Sequence, residues 1–434
     1  GSVDLNTSKK TGNDPECAIA KNPANPLQLF VMCNTDGLGL FAARSTDGGA
    51  SWIYPDPADK TIADGDPDQG DSACCDPTLA WDSFGNLFLT YLGGPGVATL
   101  LSTDGGATFS ELPGFGGGPD QPTVVTADTT SGSVVWIVYN TGSMVARGAV
   151  VTGLGAVGAW SGVQTAPGTS GCSFGDIAVA PNGKVVQACG EISPLQGPNN
   201  EILVNTDPDG LGAAGFGAAV VATTTNVGGF DNIPAQNQRT IDAEAGLAYD
   251  RNPASPHFGR LYLMYNDEQP QESHDLDVMV RWSDDDGATW SEAVRVNDDA
   301  TTKSQFLPRI ASDPATGALA VCWHDCRNSA PNTAMEIFCS HSFPVPPAPS
   351  FTANVLLSDG ASISNGQGVE FGDYAGLIYV DGVAHPVWAD KSNSTGDNPD
   401  GTAKFDSYVD FTLGALFTDG FESGDLSAWD ESGS

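Results

Sequence analysis

One position recurs seven times along the chain and holds several residues that could do chemistry. It lies three residues before an apolar residue that is usually followed by alanine. The seven residues at this position are Glu16, Asp76, Gln121, Phe174, Glu244, Leu307 and Tyr374. Paired carboxylates such as Asp76 and Glu244 can act as general acid and as nucleophile or base in the cleavage of a sugar linkage. The sequence therefore predicts these two residues as candidates for catalysis.

Three segments, residues 56–76, 266–277 and 390–406, are rich in Asp, Asn and Glu. Oxygen ligands suit Ca²⁺, and a divalent cation would relieve the mutual repulsion of such dense carboxylates. The predicted ligands are Asp64, Asp66, Asp68, Asp71, Asp267, Asp325 and Asp390. Their spacing does not match an EF-hand loop, and the five histidines form no His-Glu-x-x-His motif. We predict bound calcium, with a solvated acidic surface as the alternative.

A repeated pattern of short strands must position these residues. Each apolar–alanine pair is followed by a turn and then by a second strand rich in aromatic and β-branched residues. The clearest second strands are residues 27–33, 86–91, 133–139, 260–265, 318–323 and 383–388. A third and a fourth strand complete each unit. Seven such units within residues 1–413 predict an all-β propeller of seven four-stranded antiparallel blades.

Residues 45–52, 102–109 and 283–290 share the pattern Ser-x-Asp-x-Gly-x-(Ser/Thr)-aromatic. Asp and Ser side chains in such a pattern accept backbone hydrogen bonds and hold a tight turn. The central residues are Asp47, Asp104 and Asp285. The motif resembles the Asp-box of the sialidase-like BNR-repeat propellers, which include secreted bacterial proteins. The resemblance implies that these three residues are structural and lie away from any ligand. Since sialidases have six blades, a six-bladed ring is the alternative.

The resemblance also implies roles for individual residues. A sialidase uses a tyrosine nucleophile activated by a glutamate, and an aspartate as acid/base. Here these would be Tyr374, Glu244 and Asp76. Three arginines grip the substrate carboxylate in that family. Here the arginine candidates for substrate binding are Arg239, Arg309 and Arg327. The repeat itself, apart from the resemblance, adds Gln121 and Glu16 at the recurring position and Trp323 and Trp388 at the ends of second strands. The Phe/Tyr-Arg-Ile-Pro motif of sialidases is absent, which argues against cleavage of sialic acid.

The two ends of the chain have separate predicted roles. The last unit has three evident strands, and residues 3–6 echo the fourth strand at residues 294–297. We predict that the N-terminal strand closes the ring, because closure removes open sheet edges. Residues 414–434 lie outside the repeat and resemble a C-terminal sorting or anchoring segment. A simple surface extension is the alternative.

Six of the nine cysteines flank predicted hairpin turns. The expected disulfides are Cys17–Cys33, Cys172–Cys189 and Cys326–Cys339. An adjacent Cys74–Cys75 bond is possible, and Cys322 is predicted to be a buried free thiol. Three disulfides indicate an oxidising compartment, so the chain is expected to be secreted or at a bacterial cell surface. Reduced core cysteines are the alternative.

The charge balance narrows the class of partner. The 434 residues include 54 acidic and 17 basic side chains, giving a net charge of −37. Phosphate binding needs basic patches, so a nucleic-acid partner is not expected. No apolar run is long enough to span a membrane. The oligomeric state is left open.

Three functions remain open from the sequence. The first is a secreted, calcium-stabilised propeller that binds an extracellular glycan or surface protein at a central acidic mouth. This mouth is the opening of the ring at which the seven recurring positions are predicted to lie. The second is a sialidase-like glycoside hydrolase, or a polysaccharide lyase, that acts at the same mouth. The third is a structural component of the cell surface. The fold alone does not choose among them.

Overall fold

Seven sheets of four antiparallel strands form a closed ring in this computed structural model. The structure describes residues 3–66, 70–94, 96–344, 348–364, 366 and 368–411, and no helix occurs within them. The predicted seven-bladed propeller is confirmed, and the six-bladed alternative is wrong. Residues 412–434, which include the predicted tail, and the predicted calcium ligand Asp68 lie outside the described residues.

The first four blades follow one another in chain order after strand β1 (Leu5–Asn6). Blade 1 contains β2 (Ala18–Lys21), β3 (Leu29–Asn34), β4 (Leu40–Ser45) and β5 (Thr61–Ile62). Blade 2 contains β6 (Ala73–Trp81), β7 (Leu87–Gly93), β8 (Gly96–Ser102) and β9 (Ser110–Gly116). Blade 3 contains β10 (Asp120–Thr129), β11 (Gly132–Asn140), β12 (Met144–Val151) and β13 (Gln164–Thr165). Blade 4 contains β14 (Cys172–Val179), β15 (Val185–Glu191), β16 (Asn200–Asp207) and β17 (Val220–Thr225).

A separate hairpin and the last three blades follow. The hairpin is β18 (Asp231–Ile233) and β19 (Gln236–Ile241). Blade 5 contains β20 (Gly246–Tyr249), β21 (Leu261–Glu268), β22 (Leu276–Ser283) and β23 (Val294–Arg295). Blade 6 contains β24 (Gln305–Ser312), β25 (Leu319–Asp325), β26 (Ala334–Phe343) and β27 (Ser350–Phe351), and β28 (Val355–Leu356) and β29 (Ser362–Ile363) also pair with β26. Blade 7 contains β30 (Gly376–Val380), β31 (Val383–Asp390) and β32 (Asp406–Val409).

The N-terminal strand completes blade 7, as predicted. Strand β1 pairs with β32 in the register Leu5 to Val409 and Asn6 to Tyr408. The Asn6 side chain also donates a hydrogen bond to Asp406 Oδ2 at 2.6 Å. The strand therefore covers an edge of β32 that would otherwise be open, and it joins the two ends of the propeller.

The apolar core lies between the blades, where the second strand of each sheet is buried on both faces. In β25 all seven residues from Leu319 to Asp325 are buried, and in β31 seven of the eight are. A strand packed between two sheets has no solvent face, so it carries a nearly continuous run of apolar residues. This packing explains why the second strands gave the clearest sequence signal.

The three Ser-x-Asp turns adopt one local geometry. In the first, Ser45 Oγ donates to Asp47 Oδ1 and accepts from the Gly49 N–H, both at 2.8 Å. The same bonds recur around Asp104 and Asp285. Each turn joins the third and fourth strands of its blade. The predicted turn chemistry is therefore present, and these carboxylates are used within their own loops.

The disulfides confirm two predicted pairs and correct the third. Cys17–Cys33 and Cys172–Cys189 are bonded, and so is the adjacent pair Cys74–Cys75. The predicted Cys326–Cys339 bond is wrong. Cys339 is bonded to Cys322, and Cys326 is the buried free thiol.

The strand register explains the correction. Residues 322 and 339 lie directly opposite each other in the β25–β26 ladder, with Cα atoms 4.1 Å apart. Cys326 comes just after β25 ends. The disulfides are consistent with an oxidising compartment. Within the described residues, no helix is long and apolar enough to cross a membrane.

Candidate functional site

A shared backbone feature brings the seven recurring positions together at one end of the inner strands. Six of the seven residues have left-handed backbone angles, with φ between 46° and 57°. They are Glu16, Asp76, Gln121, Phe174, Glu244 and Leu307. Non-glycine residues rarely adopt this conformation, and it costs about 1 kcal/mol or more. In four blades the pairing of the inner and second strands shifts at this point. The repeat therefore includes a bulge near the start of the inner strand in these four blades.

In blades 1 to 4 these residues join neighbouring blades. The Gln121 N–H donates to Asp76 Oδ2 at 3.2 Å, and the Phe174 N–H donates to Gln121 Oε1 at 3.1 Å. The Asp373 N–H donates to Glu16 Oε1 at 3.2 Å, which joins blade 7 to blade 1. Buried backbone N–H groups are costly when left unpaired. The side chains of Glu16, Asp76 and Gln121 thus form an inter-blade clasp.

The hairpin β18–β19 reaches from blade 4 across to blade 7. The Gln236 side chain donates to the Gly372 carbonyl at 2.9 Å and accepts from the Phe371 N–H at 3.2 Å. The backbone N–H groups of residues 238 and 239 donate to Glu370 Oε2 at 3.0 and 2.9 Å. These contacts fix the hairpin against residues 370–372, which precede the inner strand of blade 7.

Arg239 on this hairpin is held by two carboxylates. It donates to both oxygens of Asp373, at 2.7 and 2.5 Å, and to Glu16 Oε1 at 2.6 Å. Burial and the nearby Asp373 raise the pKa of Glu16, while Arg239 opposes that rise. A Cβ on Gly372 would lie 2.5 Å from the Glu16 side chain, so glycine permits this close approach. Arg239 therefore serves as an internal ion-pair partner.

The central pocket is lined by residues from blades 2 to 7, among them Glu244, Arg309, Asp373 and Tyr374. Its volume is about 40 Å³. A cavity of this size admits water molecules but is far below the several hundred Å³ of a typical ligand pocket. The pocket can therefore receive one small group of a larger ligand.

Glu244 is the one acid of the recurring series that lines this pocket. Its Oε2 lies 3.8 Å from Arg309 Nη2, while Arg309 Nε donates to the Ala375 carbonyl at 2.8 Å. The hydrogen bonds found among the described residues include none to the Glu244 carboxylate. Burial raises the pKa of Glu244 to about 8, and Arg309 opposes the rise. Glu244 is therefore a carboxylic acid for much of the neutral range, and it is not used in the clasp.

Tyr374 lines the same pocket but its hydroxyl is already used. It donates to the Pro77 carbonyl at 3.2 Å, and the Arg309 guanidinium lies 5.4 Å from the ring centroid. Burial and the nearby Asp76 and Glu16 raise the pKa of Tyr374 well above its usual value. A tyrosine nucleophile needs its proton removed, and no carboxylate accepts this proton here.

Burial also raises the pKa of other acids at the mouth. The pKa of Asp76 rises to about 7 through desolvation and the charge of Asp120. The pKa of Asp242 rises well above its usual value for the same reason, with Glu244 as the neighbouring charge. A crowded set of carboxylates lowers its energy by binding protons. The mouth therefore carries fewer charges at neutral pH than the sequence suggests.

The other predicted substrate-binding residues lie apart from the pocket. Arg327 pairs with Asp298 at 2.9 Å and with Asp325 at 2.8 Å. The indoles of Trp323 and Trp388 are fully buried and donate to the carboxylates of Asp325 and Asp390. The structure therefore places both tryptophans in the blade core and Arg327 in a separate ion-pair group.

The predicted calcium ligands do not gather at one point. Asp64 accepts from Thr61 at 3.0 Å, and Asp267 accepts from the Asn226 N–H at 3.0 Å. Asp325 and Asp390 accept from the tryptophans just described. Among the described residues, no three His, Cys, Asp or Glu side chains form a group that could hold a metal ion. These residues do not fit a shared site, and calcium stays a prediction.

Sequence reasoning missed Asp373, Glu370 and the hairpin. Asp373 directly precedes Tyr374, and it links Arg239 to the clasp. A signal was present, since the stretch between β17 and β20 is long for a connection between two blades. The hairpin packs against blade 7 through contacts with residues 130 or more positions away in sequence, which no local pattern indicates.

Comparison with known proteins gives structural matches alone. No protein-family model matches the sequence, and no curated protein matches it. The polysaccharide lyase Uly1 is 10% identical, with 93% of this chain and 90% of that chain covered and a TM-score of 0.50. A protein of unknown function from Dyadobacter fermentans DSM 18053 is 11% identical, with 94% and 97% covered and a TM-score of 0.48. The intramolecular trans-sialidase from Ruminococcus gnavus is 12% identical, with 93% and 95% covered and a TM-score of 0.43. At such identities the likeness is one of fold, and membership of the Asp-box family stays a prediction.

Proposed function

We propose that this chain is an extracellular propeller that binds a glycan at its mouth. The observation that carries the proposal is the central pocket, where the Glu244 carboxyl and the Arg309 guanidinium lie side by side. Sugar hydroxyl and amide groups both donate and accept hydrogen bonds, and this pair offers an acceptor beside a donor. The pocket volume suits one such group, with the sugar ring itself resting outside.

An aromatic surface beside the pocket supports a sugar ligand. Phe174 lines the pocket, and its ring packs edge-on against Phe230 with centroids 5.5 Å apart. Phe230 is 42% exposed, although it is a large apolar side chain. Aromatic faces pack well on the C–H groups of sugar rings, so this pair could support the ring whose substituent enters the pocket.

Binding accounts for the geometry better than sialidase chemistry does. Arg239 is held by Glu16 and Asp373, and Arg327 lies in a separate ion-pair group. The three arginines thus do not converge on one carboxylate. The Tyr374 hydroxyl is engaged with Pro77.

A hydrolase or lyase that acts at the mouth is the second candidate. The observation that favours it is Glu244, whose raised pKa suits a general acid near neutral pH. The structural neighbours include a protein named as a polysaccharide lyase and others named as sialidases. Because that likeness is in fold, the second candidate depends on Glu244 itself.

A glycan microarray with neutral and acidic members tests the binding proposal. We expect wild type to bind a small set of glycans, and Glu244→Gln and Arg309→Gln to lose at least ten-fold in affinity. Glu292→Gln, which changes an exposed glutamate, is the matched control and should bind as wild type. Binding that survives both pocket substitutions would contradict the mouth assignment.

Activity assays separate the two candidates. Each array ligand is incubated with the protein, and reducing ends and unsaturated products are measured. Turnover that Glu244→Gln abolishes would replace the binding proposal with the enzymatic one. Binding without turnover supports the proposal as stated.

A further inference from the structure

A cleft of about 580 Å³ opens where the ring closes, between blades 7 and 1. Its walls include Lys9, Lys10, Lys60, Asp36, Asp59 and Leu38. The volume falls within the range of about 300–1,000 Å³ that small-molecule sites occupy, whereas the central pocket does not. The cleft is therefore large enough for a short ligand as a whole.

The cleft lies on the same side of the ring as the mouth. Its walls come from the segment after β1, the β3–β4 connection, the residues around β5 and the β31–β32 connection. In an antiparallel blade, the connection between the second and third strands shares a face with the exit from the fourth strand. The Ser-x-Asp turns join the third and fourth strands and so lie on the opposite face.

Internal bonds hold the walls in place. Lys60 Nζ donates to the carbonyls of Ser8 at 2.9 Å and Lys9 at 2.6 Å, which ties the blade 1 loop to the N-terminal segment. Lys10 Nζ donates to Thr35 Oγ1 at 2.8 Å and lies 3.5 Å from the buried Asp14. The cleft is thus preformed, which lowers the entropic cost of binding.

The chemistry of the walls points to an uncharged ligand. Three lysines and three aspartates line the cleft, so its formal charges balance. Lys9 is half exposed and pairs with Asp397 at 2.8 Å, which occupies one of the three N–H groups of its ammonium, and Asp59 lies on the surface. These groups offer donors and acceptors side by side, as the hydroxyl groups of a sugar require. Leu38 is 66% exposed at the edge and offers an apolar surface for ring C–H groups.

We infer that this cleft is a second binding site, specific for a short neutral saccharide. The inference does not depend on the function proposed for the central mouth. Since the walls come from both ends of the ring, an occupied cleft also links blade 7 to blade 1. Binding should therefore stabilise the folded state.

Calorimetric titration with maltotetraose, cellotetraose, xylotetraose and mannotetraose tests the inference, with tetragalacturonate as the acidic comparison. We expect at least one neutral tetrasaccharide to bind, with an affinity that changes less than two-fold between low and high salt. Hydrogen exchange should slow in residues 9–11, 35–39 and 58–64 when it binds. No binding by any neutral member, or preferred and salt-sensitive binding of tetragalacturonate, would overturn the inference.

Two substitutions locate the site. Leu38→Ser removes the apolar edge and Lys9→Gln removes a charged donor, and each should weaken binding of the titrated saccharide at least five-fold. The matched controls are Leu154→Ser, which changes an exposed residue, and Lys303→Gln, which changes a partly buried lysine; both lie outside the cleft. Glu244→Gln should leave this binding unchanged. If Glu244→Gln abolishes it and the cleft variants do not, the ligand binds at the mouth and the cleft inference is wrong.

Discussion

Blades 2 and 5 carry an acid at the same repeat position, and they use it differently. Asp76 and Glu244 both have left-handed backbones, with φ of 57° and 49°, and both are buried, at 7% and 5% exposure. Asp76 accepts a hydrogen bond from the next blade, at Gln121. Glu244 faces the pocket beside Arg309. The repeat thus supplies one backbone geometry, and the neighbouring residues decide whether the acid holds the ring together or faces a ligand.

The difference follows from what each neighbouring blade presents. After Asp76 the next residue of the series is Gln121, which lies close enough to donate its N–H and to pass the link on to Phe174. After Glu244 the next blade presents Arg309, whose Nη2 lies 3.8 Å from Glu244 Oε2. A structural clasp and a candidate binding residue therefore occupy equivalent positions. In this chain, repeat position alone is a poor guide to function.

The largest effect on the clasp should come from Arg239→Ala. The substitution leaves Glu16, which is 2% exposed, and Asp373 without their cation. We expect a loss of about 3 kcal/mol in the free energy of unfolding, measured with guanidinium, because a buried acid would lose its counter-charge. Arg295→Ala removes a more exposed ion pair and should cost less than about 1 kcal/mol. Equal losses for the two variants would show that the ion pairs of Arg239 stabilise the fold no more than an exposed ion pair does.

Asp76→Ala should have the next largest effect. It removes the acceptor for the Gln121 N–H and leaves alanine in a left-handed conformation. We expect a loss of about 2 kcal/mol in the free energy of unfolding. Asp76→Asn keeps an oxygen acceptor and should cost less than half as much. If alanine and asparagine are equivalent, the hydrogen bond to blade 3 is not what matters.

The raised pKa values predict that the free energy of unfolding falls as the pH rises towards about 8. Burial raises the pKa of Asp14 and Glu244 to about 8 and that of Asp76 to about 7. An acid with a raised folded-state pKa contributes stability that is fully present below its unfolded pKa of about 4. That stability is lost progressively as the pH rises from there to the folded-state value of about 7–8. The buried His324 and His385, with pKa values lowered to about 3, act in the opposite sense below about pH 6.5.

Calorimetry checks this balance. We expect the melting temperature to fall by at least about 2–4 °C, the equivalent of about 1 kcal/mol, between about pH 6.5 and pH 9. Glu244→Gln should reduce the slope, because it removes one of the titrating acids. A melting temperature that rises over this interval would contradict the assignment of these acids as protonated in the folded state.

Glu244→Gln should change stability least of the mouth substitutions. Its carboxyl has no hydrogen bond to lose among the described residues, so we expect a change within about 0.5 kcal/mol at neutral pH. Glycan binding at the mouth should fall while stability holds. A loss as large as that of Asp76→Ala would place Glu244 in the clasp and remove the contrast between blades 2 and 5.

Chelation with EDTA should change the melting temperature least of all, judging from the residues that the structure describes. Among those residues, no three His, Cys, Asp or Glu side chains form a group that could hold a metal ion. The sequence prediction of calcium requires a fall in melting temperature on chelation, with recovery on adding Ca²⁺. The geometry predicts no change, so this measurement decides between the two.

The amount that sequence reasoning recovered depended on the range of the interactions. The Ser-x-Asp turns and the Cys17–Cys33 hairpin involve residues close in the chain, and both were predicted. The Cys322–Cys339 bond was missed because Cys326 lies nearer to the turn, whereas the strand register places Cys322 opposite Cys339. The tryptophans were assigned to the mouth because they end their strands, although their indoles turn into the blade core.

The sequence by itself determined the number of blades, the order of their strands and the acids at the inner-strand ends. These properties come from local turn chemistry and from a sequence pattern that recurs in every repeat unit. The tertiary structure alone decided which acids are used to join blades and which one faces a pocket. Arg239 meets Glu16 only because the hairpin crosses the ring, over 223 residues of chain. A contact of that kind depends on the curvature of the closed ring, and no local pattern encodes it.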